Sequence, residues 1–413
     1  MARATRNGEA VGQVHVALDV RVLQQALINS PHGGLGGPGR YAYQLLDELR
    51  RHDDVECTLL LHHGPVPSRL AELVSATKRF RLRRVGLGGW LPQHLVNGRA
   101  TPLVAAMEAA PLDRRIRSLR PEVVHIVDQP PPRLRTRPRI VTLHDLGPFG
   151  GGANEVGTAA PGALARSGLA AVRSADVVVC VSEATRADAV RVLGVAPDRL
   201  EVVLPGVEGR RFSPGPTEGI RRELGLPERA RYFLHVGVLR ERKNPDGLLR
   251  AFRELADAHE ELRLVCAGPY QTSPEASRRV TALAARLGIG SRVHLAVDLD
   301  DQALVRAYRG SLGLVFPSLY EGFGFPVVEA LSCGVPVVAG DNSSLPEVGG
   351  DLAVLVDARD HAAIAAGMAR VLDDEPLGAK VRALGPEWAR RFSWRAAVDR
   401  FHDLYLELSE RRT

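Results

Sequence analysis

VFPSLYEGFGFPVVEALSCGVPVVAGDNSSLPEVGGDLAVLV, residues 315 to 356, is the stretch that decides the fold. It opens with the end of an apolar strand, Leu312 to Phe316, and continues into a glycine-containing loop. A short apolar helix is predicted over Val327 to Ser332, and Val335 to Ala339 is predicted to be the next buried strand. Continuous apolar strands separated by short helices are typical of parallel sheets that are covered on both faces. The stretch therefore predicts a strand–loop–helix–strand unit of an α/β domain.

Two carboxylates, Glu321 in the loop and Glu329 in the helix, frame a predicted anion site. Free N–H groups and the helix dipole converge at the start of a helix and favour a negatively charged ligand. A hydrolase acid/base pair flanks a single bond with its carboxyls roughly 5 to 9.5 Å apart. Because Glu321 precedes the helix and Glu329 lies within it, we interpret the two as contacts to different parts of one long ligand. The alternative is that Glu329 is a solvated helix residue and Glu321 a cap.

The segments EGFGFPVVE, ALSCGVPVVAG and SSLPEVGGDLAVLVD resemble the retaining nucleotide-sugar glycosyltransferases of family GT4. The resemblance covers most of the chain and is strongest from Val181 to Asp357. It implies the GT-B fold, in which two doubly wound, Rossmann-like parallel-sheet domains face each other across a cleft. The family signature is a Glu, seven residues and a second Glu. The first contacts the transferred sugar and the second the nucleotide ribose, and the matching positions are Glu321 and Glu329.

Length and composition agree with a two-domain globular protein. The chain has 413 residues, with 45% hydrophobic and 25% charged residues and a net charge of +6. Because the sequence contains neither a long apolar run nor the apolar core of a signal peptide, we expect a cytoplasmic protein. Four cysteines without metal-ligand spacing are expected to be reduced and packed: Cys57, Cys180, Cys266 and Cys333.

We predict four parts along the chain. Residues 1–12 form a flexible tail, and residues 13–207 form an acceptor-side domain. A linker rich in proline and glycine follows, and residues 217–390 form the domain that binds the nucleotide sugar. Residues 391–413 contain a helix that, in GT-B proteins, crosses back onto the first domain.

A glycine-rich loop, His32 to Gly39, precedes a helix predicted over Arg40 to Arg51. The loop satisfies G-x-G-x-x-G, but it begins well after the first strand, and the following strand ends in His62-His63 with no acidic residue for a ribose. A Rossmann oxidoreductase is therefore disfavoured. The loop suits close backbone approach to a phosphate or sugar, or alternatively is only a flexible surface loop. GT4-like enzymes have such a loop before a GRY-type helix start, so Gly36 and Gly37 are expected at the donor.

Three further side chains are predicted at the strand ends that face the cleft. His144 follows the strand Ile140 to Leu143, and Arg242-Lys243 follow the strand Tyr232 to Val236. Basic residues in such a loop can stabilise a departing pyrophosphate. The resemblance places Arg242 and Lys243 on the diphosphate and His144 on the donor sugar. The alternatives are an exposed basic loop and a structural histidine.

The resemblance also implies which backbone positions hold the donor. We expect the following residues in the donor site, in addition to the two loop glycines and Glu329: Gly237, Gly268, Gly322, Phe323, Gly324, Phe325 and Val328. Asp298-Leu-Asp300-Asp301 is similar to a metal-binding D-x-D, but we interpret it as the N-cap region of a helix over Gln302 to Arg309. No metal and no cofactor beyond the nucleoside diphosphate sugar are predicted.

The resemblance implies transfer of a hexosyl unit from a nucleoside diphosphate sugar, with retention of configuration, to a hydroxyl acceptor such as a glycan, a lipid-linked sugar or a natural product. The residues of the signature slightly favour a mannosyltransferase using GDP-mannose, and UDP-glucose and UDP-N-acetylglucosamine are the alternative donors. The alternatives are a GT-B epimerase or hydrolase of sugar nucleotides, and a catalytically silent partner subunit. No nucleic-acid module is present. Two basic runs, at 78–84 and 114–120, are either a weak membrane-facing surface or, as we prefer, a solvated arginine face.

Overall fold

Two parallel sheets form the framework of the protein. The computed structural model describes residues 13–29, 35–86, 101–127, 129–147, 163–268, 274–297 and 299–411. The first sheet has seven strands in the order β3-β2-β1-β4-β5-β6-β7, and the second has six in the order β10-β9-β8-β11-β12-β13. In each sheet the first strand of the domain lies inside and the order reverses beside it. The predicted fold class, two doubly wound α/β domains, is confirmed.

Apart from the edge strand, which carries the exposed Arg81, Arg83 and Arg84, the strands of the first sheet are short, apolar and mostly buried. Such strands can only be stable when helices cover both faces of the sheet. Its strands are β1 (Val14–Asp19), β2 (Val55–His62), β3 (Phe80–Gly86), β4 (Val123–Ile126), β5 (Arg139–Leu143), β6 (Val177–Cys180) and β7 (Leu200–Val202). The helices of this half are α1 (Arg21–Asn29), α2 (Gly36–Leu49), α3 (Ser68–Ser75), α4 (Thr101–Ser118), α5 (Ala163–Arg173) and α6 (Glu183–Arg191).

The second sheet repeats this arrangement after the segment rich in proline and glycine. Its strands are β8 (Arg231–Val236), β9 (Leu262–Ala267), β10 (Val293–Ala296), β11 (Gly313–Phe316), β12 (Val337–Gly340) and β13 (Ala353–Val356). Its helices are α7 (Ile220–Glu223), α8 (Pro245–Ala256), α9 (Pro274–Arg286), α10 (Asp301–Arg309), α11 (Phe325–Ser332), α12 (Leu345–Gly349), α13 (His361–Asp373) and α14 (Glu375–Ala389). The central strands β8, β11 and β12 carry the loops that reach the cleft.

The N-terminal part of the first domain differs from the prediction in two ways. Helix α1 was not predicted, and α2 begins at Gly36 rather than at Arg40. Pro38 is tolerated there because the first turn of a helix needs no N–H from that residue. At Gly39 a Cβ atom would lie 2.7 Å from the Cβ of Ala26, so the glycine lets α2 pack closely on α1. Residues 30–34, the first part of the glycine-rich loop, lie outside the described residues.

The C-terminal helix α15 (Trp394–Glu410) packs on the first domain, against α2, β1 and β4. Its buried face includes Phe401 and Tyr405. The Nδ1 atom of His125 on β4 lies 2.7 Å from the Tyr405 hydroxyl, and Arg400 forms an ion pair with Glu201 at 2.7 Å. Helix α15, which follows the second domain in sequence, thereby links the two halves of the protein.

Several local predictions are confirmed. Ser182 caps α6 by accepting a hydrogen bond from the Thr185 N–H, and Asp300 caps α10 by accepting from Ala303. Asp300 therefore acts as an N-cap, while Asp298 lies outside the described residues. The four cysteines are buried and unbridged.

The two basic runs lie side by side on the first domain. Arg115 of α4 donates a 2.7 Å hydrogen bond to the carbonyl oxygen of Val85 on β3. Part of the charge is compensated locally, since Arg79 pairs with Asp53 and Arg117 with Asp113. Membrane contact by this face stays a prediction. Among the residues that the structure describes, no helix is both long and apolar enough to cross a bilayer.

Candidate active site

Glu321 lies at the centre of a compact charged cluster at the end of β11. Its carboxylate is 2.6 Å from the Lys243 Nζ and 3.4 Å from an Arg242 guanidinium nitrogen. That Arg242 nitrogen also lies 3.6 Å from the Asp145 carboxylate of the first domain. Glu321 is only 7% exposed, so these charge contacts are formed largely out of water. The structure brings together three residues that the sequence predicted to act as a group.

Backbone contacts hold the loop that carries Glu321. The Arg242 side chain donates to the Tyr320 carbonyl at 3.0 Å, and the Leu319 N–H donates to the Arg242 carbonyl at 2.9 Å. On the other side, the Ser343 hydroxyl accepts from the Glu321 N–H, and the Ser344 hydroxyl donates to the Phe323 carbonyl. These bonds tie the β8, β11 and β12 loops into one unit and fix the position of the cluster.

The charges of Glu321 and Arg242 stabilise each other, whereas burial lowers the pKa of Lys243 in spite of the adjacent Glu321 charge. Burial by itself would raise the pKa of Glu321, but the adjacent Lys243 and Arg242 charges outweigh burial and hold the pKa below its ordinary value. The Glu321 charge in turn raises the pKa of Arg242. Glu321 is therefore an ionised acceptor at neutral pH and not a general acid.

His144 reaches the cleft from the end of β5. Its Nε2 atom is 2.8 Å from the Val127 carbonyl oxygen, and its backbone N–H donates to the Gln129 side chain at 2.9 Å. Because a carbonyl oxygen can only accept, Nε2 carries the proton and Nδ1 is left as an acceptor. Burial lowers the pKa of His144, which favours the neutral ring. The ring edge packs on Tyr41 with centroids 4.9 Å apart.

Gly322 lies at one of the contacts between the two domains. Its carbonyl accepts hydrogen bonds from Ser182 at 2.7 Å and Thr185 at 3.1 Å, both on the first domain. A Cβ atom at this position would overlap with the His144 carbonyl. The structure therefore shows a closed cleft that only glycine permits.

Glu329 has a different environment from the one predicted. One carboxylate oxygen forms an ion pair with Arg40 of the first domain, and the other accepts a 2.7 Å hydrogen bond from the Tyr308 hydroxyl. Glu329 is 3% exposed, and the Arg40 side chain is 15% exposed. The sequence analysis missed both partners. Arg40 was quoted only as part of a helix start, although an arginine beside a glycine-rich loop is itself a signal for an anionic partner.

The predicted donor glycines line both sides of the cleft. A Cβ atom at Gly37 would lie 3.9 Å from the Phe325 ring, so the start of α2 faces the start of α11. Gly36, the first residue of α2, and Gly324, the N-cap of α11, have positive φ angles of 64° and 99°.

Gly237 and Gly268 lie side by side at the ends of β8 and β9, because a Cβ at Gly268 would be 3.0 Å from the Gly237 carbonyl carbon. Phe323 is buried with its ring centroid 5.1 Å from that of Phe325. Val328 is fully buried in the core, so its side chain supports the helix, and only its backbone could face a ligand.

Family models match both halves of the chain. The model described as Glycosyltransferase Family 4 matches residues 35–211, and the model described as Glycosyl transferases group 1 matches residues 216–388.

Two similar curated proteins are named D-inositol 3-phosphate glycosyltransferases. The chain is 30% identical over 408 residues to D-inositol 3-phosphate glycosyltransferase 1 of Catenulispora acidiphila, and the match covers 95% of each chain. It is 34% identical over 245 residues to D-inositol 3-phosphate glycosyltransferase of Corynebacterium jeikeium, covering 57% of this chain but only 58% of that relative.

Solved structures show the same fold. Sucrose-phosphate synthase from Thermosynechococcus elongatus superposes with a TM-score of 0.77 at 21% identity, covering 96% of this chain and 99% of that one. Anabaena HepE in complex with UDP-glucose gives a TM-score of 0.71 at 16% identity, covering 95% and 99%. With two family models spanning both domains and a relative matched over nearly its whole length, the chain belongs to the family 4 glycosyltransferases, which have the GT-B fold.

Proposed function

We propose that the protein transfers a hexosyl unit from a nucleoside diphosphate sugar to a hydroxyl acceptor with retention of configuration. The observation that carries this proposal is the cluster of Arg242, Lys243 and Glu321 beside the start of α11, facing His144 across the closed cleft. The cluster combines cations for a diphosphate with a carboxylate for sugar hydroxyls.

Arg242 and Lys243 would stabilise the diphosphate as it leaves. Negative charge develops on the leaving phosphate in the transition state, and buried cations stabilise it more strongly than water does. The ion pairs with Glu321 hold both cations in place before the donor binds. The N-terminal end of α11 adds the positive end of a helix dipole.

Glu321 and His144 would orient the sugar. A carboxylate offers about four lone-pair sites, and the two cations use one on each oxygen, so sugar hydroxyls can donate to the others. The Nδ1 atom of neutral His144 can accept from a further hydroxyl. The leaving phosphate would itself take the acceptor proton, so no protein general base and no metal are assigned to the transfer.

Glu329 would hold the ribose after it loses its contact with Arg40. Both of its oxygens are engaged by Arg40 and Tyr308. The Arg40 contact crosses the cleft and would be released when the domains separate, whereas Tyr308 belongs to the same domain as Glu329. The donor would bind to an open form, in which Glu329 is separated from Arg40 and can accept from the ribose. Closure would then bring Arg40 back to the same carboxylate.

The acceptor would bind on the first domain. The similar curated proteins are named for D-inositol 3-phosphate, so a phosphorylated cyclitol is the first acceptor to examine, followed by glycans and lipid-linked sugars. For the donor, the sequence wording favours GDP-mannose, and UDP-glucose and UDP-N-acetylglucosamine are the competing candidates.

The first test is thermal stabilisation by UDP, GDP, ADP and dTDP. A nucleotide at a hundred times its dissociation constant should stabilise the protein by about 2.7 kcal/mol. Lys243→Ala should abolish the shift. Lys380→Ala is the matched control, because Lys380 is an exposed residue of α14 that donates a 3.2 Å hydrogen bond to the Asp351 carbonyl.

The matching sugar nucleotides are then incubated with and without acceptor, and products are analysed by mass spectrometry and anomeric NMR. Acceptor-dependent release of nucleoside diphosphate with a retained anomeric centre supports the proposal. Turnover of donor alone would replace it with the epimerase or hydrolase. Absence of any nucleotide-induced shift would replace it with the silent partner subunit.

A further inference from the structure

We propose that His52, Asp54 and His402, with Asp399 beside them, form a Zn²⁺ site that fastens the C-terminal helix to the first domain. One ligand atom from each of His52, Asp54 and His402 lies within 4.8 Å of the others. The cluster shares no residue with the candidate active site, so this inference stands apart from the proposed transfer.

The four side chains come from two separate parts of the chain. His52 and Asp54 lie in the turn between α2 and β2, while Asp399 and His402 lie one turn apart on α15. Residues three apart on a helix project from the same face, so Asp399 and His402 both meet the turn. An ion here would bridge two segments that are far apart in the chain. His402 and Asp54, which already contact each other, are separated by 348 residues of sequence.

The present distances are close to those of a metal centre. His402 Nε2 lies 2.8 Å from an Asp54 oxygen, and His52 Nε2 lies 3.2 Å from an Asp399 oxygen. With metal–ligand bonds of about 2.0–2.2 Å, the ligand atoms of a tetrahedral zinc site are about 3.4 Å apart. Small side-chain rotations would therefore suffice to admit an ion.

The ligand chemistry selects zinc over the common hard cations. Two imidazole nitrogens with carboxylate oxygens suit Zn²⁺, whereas Mg²⁺ and Ca²⁺ prefer oxygen ligands alone. The rings of His52 and His402 are stacked with centroids 4.3 Å apart, and one ligand atom of each ring lies within 4.8 Å of the other.

The turn is rigid and the site is accessible. The Arg79 side chain donates to the His52 carbonyl, and the Val14 N–H donates to the Asp54 carbonyl at 2.8 Å. The side chains of His52 and His402 are 18% and 16% exposed, and Asp399 is 55% exposed. An ion can thus enter from the Asp399 side, where a water or Asp399 completes the coordination.

The test is titration of the full chain, first stripped with a chelator, with Zn²⁺ in competition with a chromophoric chelator. One ion per chain is expected, and Mg²⁺ should not compete. His402→Gln should weaken zinc binding by more than the roughly 10–100-fold that loss of an outer-shell partner causes. Asp399→Asn should weaken it less.

His361→Gln is the matched control, since His361 also faces a carboxylate, Glu254 at 3.4 Å, but belongs to no such ligand cluster among the residues that the structure describes. If zinc fails to bind, or if it binds equally to the His402→Gln variant, the proposal is wrong.

A second experiment uses the unmodified protein, so its result does not depend on whether a variant folds. Zinc should protect His52 and His402, but not His361, from diethyl pyrocarbonate, as read by peptide mass spectrometry. Co²⁺ in place of zinc should give the visible absorption of a tetrahedral site. Equal labelling with and without zinc would overturn the assignment.

Discussion

Glu321 and Glu329 belong to the same signature, yet the structure holds them in opposite ways. Glu321 is paired with Arg242 and Lys243 of its own domain, through loops tied together by backbone hydrogen bonds. Glu329 is paired with Arg40 across the cleft. The first arrangement exists whether or not the domains meet, whereas the second exists only in the closed form. The comparison indicates that the position of Glu321 is set within its own domain, whereas the pairing of Glu329 depends on closure.

The largest expected effect follows from Glu321→Gln. This change keeps the size of the side chain but removes the charge that positions both cations, so kcat/KM should fall by about 10²–10³-fold. Steady-state kinetics with the donor found by the nucleotide panel measures this. Glu254→Gln, on the exposed surface, is the control, and retention of full activity in Glu321→Gln would show that the cluster is only structural.

Gly322→Ala should show whether the charged cluster still binds nucleotide when the cleft cannot close. The added Cβ overlaps with the His144 carbonyl, so the cleft should stay open and turnover should fall by about 10²-fold, as expected for reacting groups displaced by about 1 Å. Nucleotide affinity should change little, because Arg242 and Lys243 lie on the same domain as the nucleotide. Small-angle scattering should show a larger radius of gyration than for Gly209→Ala, where nothing lies within 4 Å of the added atom. An unchanged radius with normal turnover would contradict this account of Gly322.

The smallest expected effect concerns Glu329. If it holds the ribose, Glu329→Gln should weaken nucleotide binding about tenfold, equivalent to a hydrogen bond of about 1.4 kcal/mol, whereas Arg40→Met should leave binding unchanged or tighter. Isothermal titration of both single variants and the double variant measures the coupling. Equal loss of folding stability in the two single variants without any change in nucleotide affinity would make the pair a purely structural interdomain contact.

Much of the candidate site could be predicted because it depends on local order along the chain. Glu321, Arg242 and Lys243 each follow a buried strand, and the carboxyl ends of neighbouring parallel strands meet at one edge of a sheet. The order of β8, β11 and β12 therefore brings these residues together. The N-caps Ser182 and Asp300 were predictable for the same reason, since a cap bonds to residues three positions away.

The contacts that cross between domains were not predictable in this way. Pairing of Arg40 with Glu329 depends on how two separately folded units approach, and no periodicity or spacing in either segment encodes that approach. The same holds for Ser182, which caps its own helix as predicted but also donates to the Gly322 carbonyl of the other domain. The grouping of His52 with His402 likewise depends on where α15 docks.

By itself, the sequence determined the two parallel α/β domains, the family and the strand-end residues of the charged cluster, because alternating apolar strands and helices constrain each domain from within. Only the tertiary structure decided that the cleft is closed and that Arg40 forms an ion pair with Glu329. It also decided that the C-terminal helix places His402 beside His52. These features arise from packing between distant segments, where a few side-chain contacts select one of many arrangements compatible with the same local order.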